Sequence, residues 1–198
     1  RIIDVDEESL KRLGQWPWPR TRVAELIRRL QNDGAAAISL DIVFAEPDRT
    51  SPQAMSATWN LPDDLRHRLE SLPDHDDVLT QTLRQGRVVL GFATGQETPA
   101  RPFPPRPFRV IFSGESPLPF LYSFTSTVAS IPPLASAAAG NGALTFIPDS
   151  DGVVRRIPLM IRRQDQVMPS LAAESLRVAQ GQRNYIVKTL TQKGVGIQ

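Results

Sequence analysis

The stretch Gly14-Gln15-Trp16-Pro17-Trp18-Pro19-Arg20 decides how the chain on either side of it is interpreted. Proline fixes its own φ and disfavours the helical conformation in the residue before it. Both tryptophans are therefore expected to be extended and to hold their indole rings on a stiff backbone. The residues before the stretch are typical of a strand and those after it of a helix. We therefore expect the stretch to join these two elements and to anchor the joint.

A strand, a helix and a second strand are predicted around this joint. Residues 2–6 form a short β-prone run, and apolar residues between positions 21 and 33 recur at the spacing of one helix face. Gly34 stands where the C-terminal cap of that helix is expected. Residues 35–44 are almost continuously apolar, which indicates a strand buried on both faces of a parallel sheet. Together these elements predict a right-handed βαβ unit.

Further elements follow downstream, separated by prolines and glycines. Helices are predicted over residues 62–71, after an N-cap at Asp74, over 132–140, and over 171–179 behind Ser170. Strands are predicted over 87–94, 143–147, 153–162, 164–168 and 185–188. The predicted fold class is α/β: a mixed central sheet, with a parallel βαβ core and an antiparallel hairpin, flanked by helices in a single domain over residues 1–198.

Two segments are predicted to lack regular structure. Residues 46–60 are polar and loop-like, and residues 95–121 contain seven prolines. The plainer interpretation of the second segment is a long proline-rich surface insertion that Phe103 and Phe108 hold in place. A docking arm of polyproline type is the alternative.

Composition excludes several classes of function. The chain of 198 residues has a net charge near +2 and no cysteine, which excludes disulfides, thiol catalysis and cysteine-ligated zinc. Its arginine pairs are dispersed among acidic residues, so no nucleic-acid surface is expected. It contains no phosphate-binding glycine loop and no nucleophile elbow. No apolar run is long enough to span a membrane and no signal peptide is recognised, and we expect the chain to be a piece of a longer protein.

The candidate ligand site lies at the predicted carboxyl ends of the strands, where open α/β sheets bind their ligands. Asp6 ends the first predicted strand and Asp41 lies inside the second. The predicted ligand-binding residues are Asp6, Trp16, Trp18, Arg20 and Asp41, with Asp149 and Arg155 as possible neighbours. Two alternatives remain: Asp41 forms a structural ion pair with Arg20, or Asp6 and Asp41 hold a metal ion.

Two other polar groups are expected to be structural. Asp149-Ser150-Asp151-Gly152 begins like a calcium-binding loop, but the distal glutamate of that motif is missing, so a plain turn is predicted. His67 and His75 lie in an acidic region typical of a surface. We therefore predict no metal site, no cofactor and no catalytic residue.

Several of these segments in this order resemble one family. They are Ile3-Asp4-Val5-Asp6-Glu7-x-Ser9-Leu10, the Trp-Pro stretch, Ala37 to Phe44 followed by Glu46-Pro47-Asp48, Pro148 to Arg156, and Pro169-Ser170-Leu171. Together they resemble a CHASE2 domain, the extracytoplasmic sensory module of bacterial receptors. The resemblance covers most of the chain but not its proline-rich segment.

The resemblance implies a location and a set of partners. Similar domains follow one transmembrane helix and precede several others, which lead to a cytoplasmic adenylate cyclase, diguanylate cyclase, histidine kinase or serine/threonine kinase. The expected location is the periplasmic part of an inner-membrane protein, tethered through helices outside these residues. Expected partners are an unknown small-molecule or envelope ligand and a second copy of the receptor in a homodimer. The family provides no catalytic residues to carry over.

Two other classes of function remain as alternatives. The domain is a dimerisation module, or a docking module for another envelope protein, that needs no small-molecule ligand. Otherwise it is an enzyme in which Asp6 and Asp41 share a metal ion.

Overall fold

The chain folds into a mixed α/β structure, and the computed structural model describes residues 1–96, 104–105 and 107–189. The helices are α1 Glu7–Leu13, α2 Arg20–Asn32, α3 Pro52–Thr58, α4 Asp63–Glu70, α5 His75–Arg84, α6 Pro132–Ala137 and α7 Leu171–Ala179, with a 3₁₀ turn at Leu118–Phe120. The strands are β1 Ile38–Leu40, β2 Val88–Gly95, β3 Arg109–Ser113, β4 Ser126–Val128, β5 Gly140–Ala143, β6 Met160–Arg163, β7 Gln166–Pro169 and β8 Asn184–Lys188. The predicted α/β class with a mixed sheet is confirmed.

The central sheet is built around β2. This strand pairs in parallel with β1 on one side and with β5 on the other, and its last residues pair antiparallel with β4. Strands β6 and β7 form the predicted antiparallel hairpin as a separate pair. Strands β3 and β8 form a third, parallel pair.

The main core lies between the sheet and the helices α2, α5 and α6. It consists of fully or almost fully buried apolar side chains, among them Ile27, Phe44, Leu79, Leu83, Val88, Leu90 and Leu134. A second apolar cluster joins β2 to the hairpin and contains Phe92, Phe108, Ala143, Ile161 and Met168. The tight packing of these two clusters fixes the positions of the helix ends and loops that carry polar side chains.

The predicted helix caps at Asp74 and Ser170, and the predicted helix end at Gly34, are confirmed. Asp74 caps α5 by accepting hydrogen bonds from the N–H groups of Asp76 and Asp77, and Ser170 caps α7 by accepting one from Ala173. Gly34 follows α2 with a φ of 82°, the left-handed conformation that glycine adopts without strain.

The predicted first strand is wrong. Residues 2–6 pair with no strand among the described residues, and Ile2 and Ile3 are exposed. Asp6 instead caps α1 by accepting the N–H of Ser9. The parallel crossover therefore runs from β1 through α3, α4 and α5 to β2. A β-prone run becomes a strand only when a partner satisfies its backbone groups, and local sequence does not reveal that partner.

The second predicted strand is shorter than expected and is not buried on both faces. Only Ile38–Leu40 is a strand, and Ser39 is exposed between two buried neighbours. Strand β5 begins at Gly140 rather than at 143, and β6 begins at Met160 rather than at 153 because residues 153–159 pair with no strand among the described residues.

Both segments predicted to be irregular contain regular structure. Helix α3 lies within 46–60, and β3 lies within 95–121, where it pairs with β8 across a long sequence separation. Residues 97–103 and 106 of the proline-rich segment, including Phe103, lie outside the described residues. Phe108 does hold its part of the segment in place, because it is buried in the second apolar cluster.

The backbone of β5 approaches the backbone of α7 closely at Gly142. A Cβ atom there would lie 2.5 Å from the Cα of Leu171 and 2.9 Å from the carbonyl oxygen of Ser170. We expect Gly142→Ala to lower the free energy of unfolding by about 3 kcal/mol, because backbone cannot rotate away from the added methyl group. Urea unfolding measures this change.

Gly91→Ala is the matched control for Gly142→Ala. The three atoms nearest to a Cβ at Gly91 all belong to the side chain of Leu144, at 2.7–2.9 Å, and a side chain can change rotamer. We expect a cost of about 1 kcal/mol for this variant. An equal cost for the two variants would contradict the close approach of β5 to α7.

Candidate functional site

The predicted site residues fall into separate regions of the structure. Asp6 is exposed, and its oxygen Oδ1 accepts hydrogen bonds from the N–H and the hydroxyl of Ser9, at 2.8 and 2.6 Å, which lower its pKa. Asp41 is also exposed because β1 ends one residue earlier, at Leu40. The predicted ion pair between Asp41 and Arg20 is therefore wrong, and Arg20 finds its partners elsewhere.

Asp149 and Arg155 meet at the turn formed by Asp149-Ser150-Asp151-Gly152, and the plain turn predicted for this segment is confirmed. The guanidinium of Arg155 donates to Asp149 at 3.0 Å and to both carboxylate oxygens of Asp151 at 2.9 and 2.8 Å. These hydrogen bonds lower the pKa of Asp151, and Gly152 supplies a positive φ of 80°. Side chains of this segment therefore hold the turn together, as expected for a plain turn rather than a calcium-binding loop.

Trp16 and Trp18 pack against each other. Their ring centroids lie 5.6 Å apart in an edge-to-face arrangement, and the indole N–H of Trp18 donates to the carbonyl oxygen of Gly14 at 2.7 Å. The peptide bond between Trp16 and Pro17 is cis. Both rings are half-buried and belong to neither apolar cluster. The indole rings therefore make their contacts within the Trp-Pro stretch itself, immediately before α2.

Replacing both tryptophans with alanine is expected to lower the free energy of unfolding by about 1–3 kcal/mol, because an edge-to-face contact, half-buried ring area and one hydrogen bond are lost. Thermal and urea unfolding of Trp16→Ala/Trp18→Ala measure the loss. Trp59→Ala is the control, since Trp59 is 53% exposed. If the double variant is as stable as the parent, the rings do not anchor this joint.

Arg20 is the centre of a buried polar group made of Arg20, Asp48, Thr50, His75 and Asp76, which we name the Arg20 cluster. The N–H of Arg20 opens α2 and donates to Asp48 Oδ2 at 2.7 Å, where Pro19 offers no side-chain cap. The guanidinium donates to the carbonyl oxygen of Glu46 at 3.1 Å. A carboxylate from a distant loop thus satisfies the helix N-terminus, where negative charge is favourable.

Asp48 collects most of the hydrogen bonds in this cluster. Besides Arg20 N–H, its carboxylate accepts the N–H and the hydroxyl of Thr50, at 2.8 and 2.7 Å, and faces His75 Nδ1 at 3.3 Å. Burial is the largest single influence and opposes ionisation. The hydrogen bonds from the N–H of Arg20 and from Thr50 outweigh it, so the pKa of Asp48 is lowered.

Asp76 is the second buried carboxylate. It accepts one hydrogen bond, from the N–H of Asp48 at 2.8 Å, and forms an ion pair with Arg20 Nε at 3.4 Å. The geometry of that ion pair does not make a hydrogen bond, so Asp76 Oδ1 and Arg20 Nε are buried without one. Burial therefore dominates and raises the pKa of Asp76.

The Arg20 cluster lies at the carboxyl end of β1 and is connected to the main core. The guanidinium carbon of Arg20 lies 4.3 Å from the centroid of the Phe44 ring, a cation–π contact. Of the predicted site residues, the cluster contains only Arg20. Its other members were missed, although Asp48 belongs to the Glu46-Pro47-Asp48 segment and Asp76 to the first turn of a predicted helix.

A second buried ionic group contains Glu174, Arg177 and Tyr185, which we name the Glu174 cluster. The Glu174 carboxylate is fully buried and accepts two hydrogen bonds from Arg177, at 2.8 and 2.6 Å, and one from the Tyr185 hydroxyl at 2.7 Å. Arg177 also donates to the carbonyl oxygen of Ala139 and lies over the Phe108 ring. Burial raises the pKa of Tyr185. This cluster fastens β8 to α7 and to the sheet.

Two surface clefts lie away from the seven predicted site residues. One, of about 580 Å³, lies between the ends of α2 and α5 and the starts of β1 and β2, where Gln31, Arg84 and Arg87 line it. The other, of about 270 Å³, separates β3 from the β6–β7 hairpin. The first cleft is at the amino ends of the parallel strands, opposite the Arg20 cluster and opposite the usual ligand position.

The family model of the CHASE2 domain matches residues 1–196. The chain belongs to the CHASE2 family. This match confirms the resemblance noted in the sequence, and it covers essentially the whole chain. CHASE2 domains are extracytoplasmic sensory domains of receptors and are not themselves catalytic, which argues against the metal-enzyme alternative. No curated protein and no solved structure matches the chain significantly.

Two further properties of the described residues bear on this CHASE2 domain. In the part of the chain that the structure describes, no group of three or more histidine or acidic side chains is arranged to hold a metal ion. Among residues 1–96, 104–105 and 107–189, no helix combines the length and hydrophobicity needed to cross a bilayer.

Proposed function

We propose that this CHASE2 domain is the signal-input domain of a transmembrane bacterial receptor and lies in the periplasm. It passes a ligand-binding or packing signal through attached membrane helices to a cytoplasmic cyclase or kinase. The family match over residues 1–196 carries this proposal. A stimulus acts on such a receptor only if it interacts differently with two arrangements of the domain.

The Arg20 and Glu174 clusters support a two-state mechanism. Each cluster joins segments distant in sequence through charged side chains that are almost fully buried, so a small displacement of one segment exposes or separates charges. Packed interfaces of this kind change between discrete arrangements rather than bending continuously. The Arg20 cluster links α2 to α5, and the Glu174 cluster links α7 to β8.

The ligand-binding role of the seven predicted residues remains a proposal. Arg20 and the half-buried Trp16 and Trp18 offer a cation and two indole rings at the start of α2. Asp6, Asp41 and Arg155 offer exposed charges, and Asp149 offers a half-buried one. If they bind the ligand, Asp41→Asn weakens ligand-induced stabilisation and leaves the stability of the free domain unchanged.

A dimerisation or envelope-docking module is the second candidate function, and the β3–β8 pair favours it. Ile111 and Ile186 lie side by side in this pair and are 48% and 65% exposed. Exposed neighbouring apolar side chains are typical of surfaces that another protein covers. In this proposal a second copy of the domain, as in a homodimeric receptor, packs against that face.

Two measurements on the purified domain separate these candidates. Thermal-shift screening against small metabolites detects any ligand that binds the folded state, because such binding raises the melting temperature. Light scattering detects self-association. Reproducible stabilisation by a small molecule supports the sensor. Self-association that Ile186→Asp abolishes, without stabilisation by any metabolite, supports the module.

The receptor architecture has its own test. The sequence of the complete protein is expected to contain one apolar span before this domain, and several apolar spans followed by a cyclase or kinase domain after it. A complete sequence without those spans would overturn the proposed receptor.

A further inference from the structure

The buried charges of the Arg20 cluster do not balance. Arg20, Asp48 and Asp76 are 8%, 5% and 9% exposed, which places one positive and two negative side chains in the interior. Asp74, the half-buried N-cap of α5, adds negative charge beside Asp76. Helix α6 packs on α5 and contains no titratable residue between Pro132 and Ala137. A buried net negative charge of this kind is costly unless a cation or a proton neutralises it.

The Asp76 carboxylate accepts fewer hydrogen bonds than the Asp48 carboxylate. Asp48 accepts the N–H of Arg20 and both donors of Thr50, whereas Asp76 accepts only the N–H of Asp48. Its Oδ1 atom is buried and receives no hydrogen bond. The cation next to it is Arg20 Nε, at 3.4 Å and without hydrogen-bond geometry, so the charged form of Asp76 is less stabilised than that of Asp48.

His75 borders the same buried charge through hydrogen bonds. Its Nδ1 lies 3.3 Å from Asp48 Oδ2 and 3.3 Å from the hydroxyl oxygen of Thr50. The Thr50 hydroxyl gives its single proton to Asp48 Oδ1 at 2.7 Å, so both neighbours of Nδ1 act as acceptors. Nδ1–H is therefore the donor that they share, and its hydrogen bonding goes to Asp48 and Thr50 rather than to Asp76.

We propose that the Arg20 cluster is a proton-binding site that takes up one proton as the periplasm becomes acidic, with the buried Asp76 carboxylate as the acceptor. The proton neutralises the excess negative charge and stabilises the arrangement in which the loop containing Asp48 is held between α2 and α5. The stimulus of the receptor is then acidity, an inference that rests on the proposed sensor function.

The sign of the stability change follows from the two carboxylates. Burial raises the pKa of Asp76, so the folded state holds its proton more tightly than the unfolded chain does. Stability therefore increases as the pH falls through the range above the ordinary aspartate value. Hydrogen bonds lower the pKa of Asp48 against the effect of burial, so its contribution is lost only below the ordinary value. With respect to these two carboxylates, stability is therefore expected to be highest near the ordinary pKa of aspartate, where Asp76 is protonated and Asp48 is still ionised.

The test is urea unfolding of the chain at a series of pH values between about pH 7.5 and about pH 4, where one bound proton changes the unfolding equilibrium constant by at most about tenfold per pH unit. The parent is expected to become harder to unfold towards the acid end. Asp76→Asn, which is neutral and of the same shape, is expected to be more stable than the parent at neutral pH and to lose this pH dependence.

Asp77→Asn is the matched control, because Asp77 lies in the same first turn of α5 but is exposed. It is expected to keep the pH dependence of the parent. If Asp76→Asn keeps the full pH dependence of the parent, the proposal is overturned.

These titrations are independent of the receptor proposal. They measure proton binding by the purified chain and need no membrane or output domain. A failure of the receptor architecture would leave the titration of Asp76 unchanged, and a flat titration would remove the proton site without bearing on the family or on the receptor.

Discussion

Replacing Glu174 with alanine is expected to lower the free energy of unfolding by about 3–5 kcal/mol, because the change leaves the buried charge of Arg177 without its partner. Glu174 is fully buried and Arg177 is 8% exposed, so water replaces little of the lost interaction. The Tyr185 hydroxyl loses its acceptor at the same time. Urea unfolding at neutral pH measures the loss, and reduced protection of the β8 amides from hydrogen exchange shows where it occurs.

An exposed ion pair with the same charges provides the control. Glu8 and Arg12 form an i,i+4 pair in α1 in which both side chains are more than 60% exposed. Glu8→Ala is expected to change stability by at most about 0.5 kcal/mol. The double variant Glu174→Leu/Arg177→Leu removes both buried charges and is expected to recover much of the loss. If Glu174→Ala costs no more than Glu8→Ala, the buried pair does not fasten β8.

Replacing Phe44 with alanine is expected to cost about 3–5 kcal/mol, the usual loss when a buried aromatic ring leaves a cavity. Phe44 is 1% exposed and lies between the main core and the guanidinium of Arg20. The variant therefore removes core packing and the cation–π contact together. Urea unfolding gives the total cost.

Phe44→Leu separates these two contributions. Leucine keeps most of the apolar volume but has no π-face for Arg20, so we expect an intermediate loss of about 1–2 kcal/mol. Phe120→Ala is the control, because Phe120 is 81% exposed and its removal leaves no cavity. A loss for Phe44→Ala as small as that for Phe120→Ala would contradict the placement of Phe44 in the core.

Elements whose signals are local were predictable from the sequence. In α2, apolar residues recur at spacings of three and four positions. The caps of α5 and α7, Asp74 and Ser170, bind N–H groups two or three positions further along the chain. Strand β2 was predictable for a related reason, because its apolar run is long and bounded by glycine. The run at residues 2–6 has the β-prone composition of a strand but pairs with no strand in the described part of the chain, and composition does not distinguish a paired run from an unpaired one.

The polar clusters could not be predicted in the same way. Asp41 and Asp48 both follow the apolar run of β1, and nothing local indicates that the second turns inwards and the first outwards. Glu174 and Arg177 have the i,i+3 spacing of an ordinary surface ion pair on a helix. The pair is buried only because β8 and the sheet cover that side of α7.

The sequence by itself determined the CHASE2 family, the α/β class and the N-terminal caps of α5 and α7, because these follow from motifs and periodicities within short segments. Only the tertiary structure decided which carboxylates meet Arg20, since Asp48 lies 28 residues away along the chain. It also decided that one buried cation faces two buried anions. Burial depends on what packs over a side chain, and burial converts one arginine and two aspartates, ordinary surface residues, into a group whose charge responds to pH.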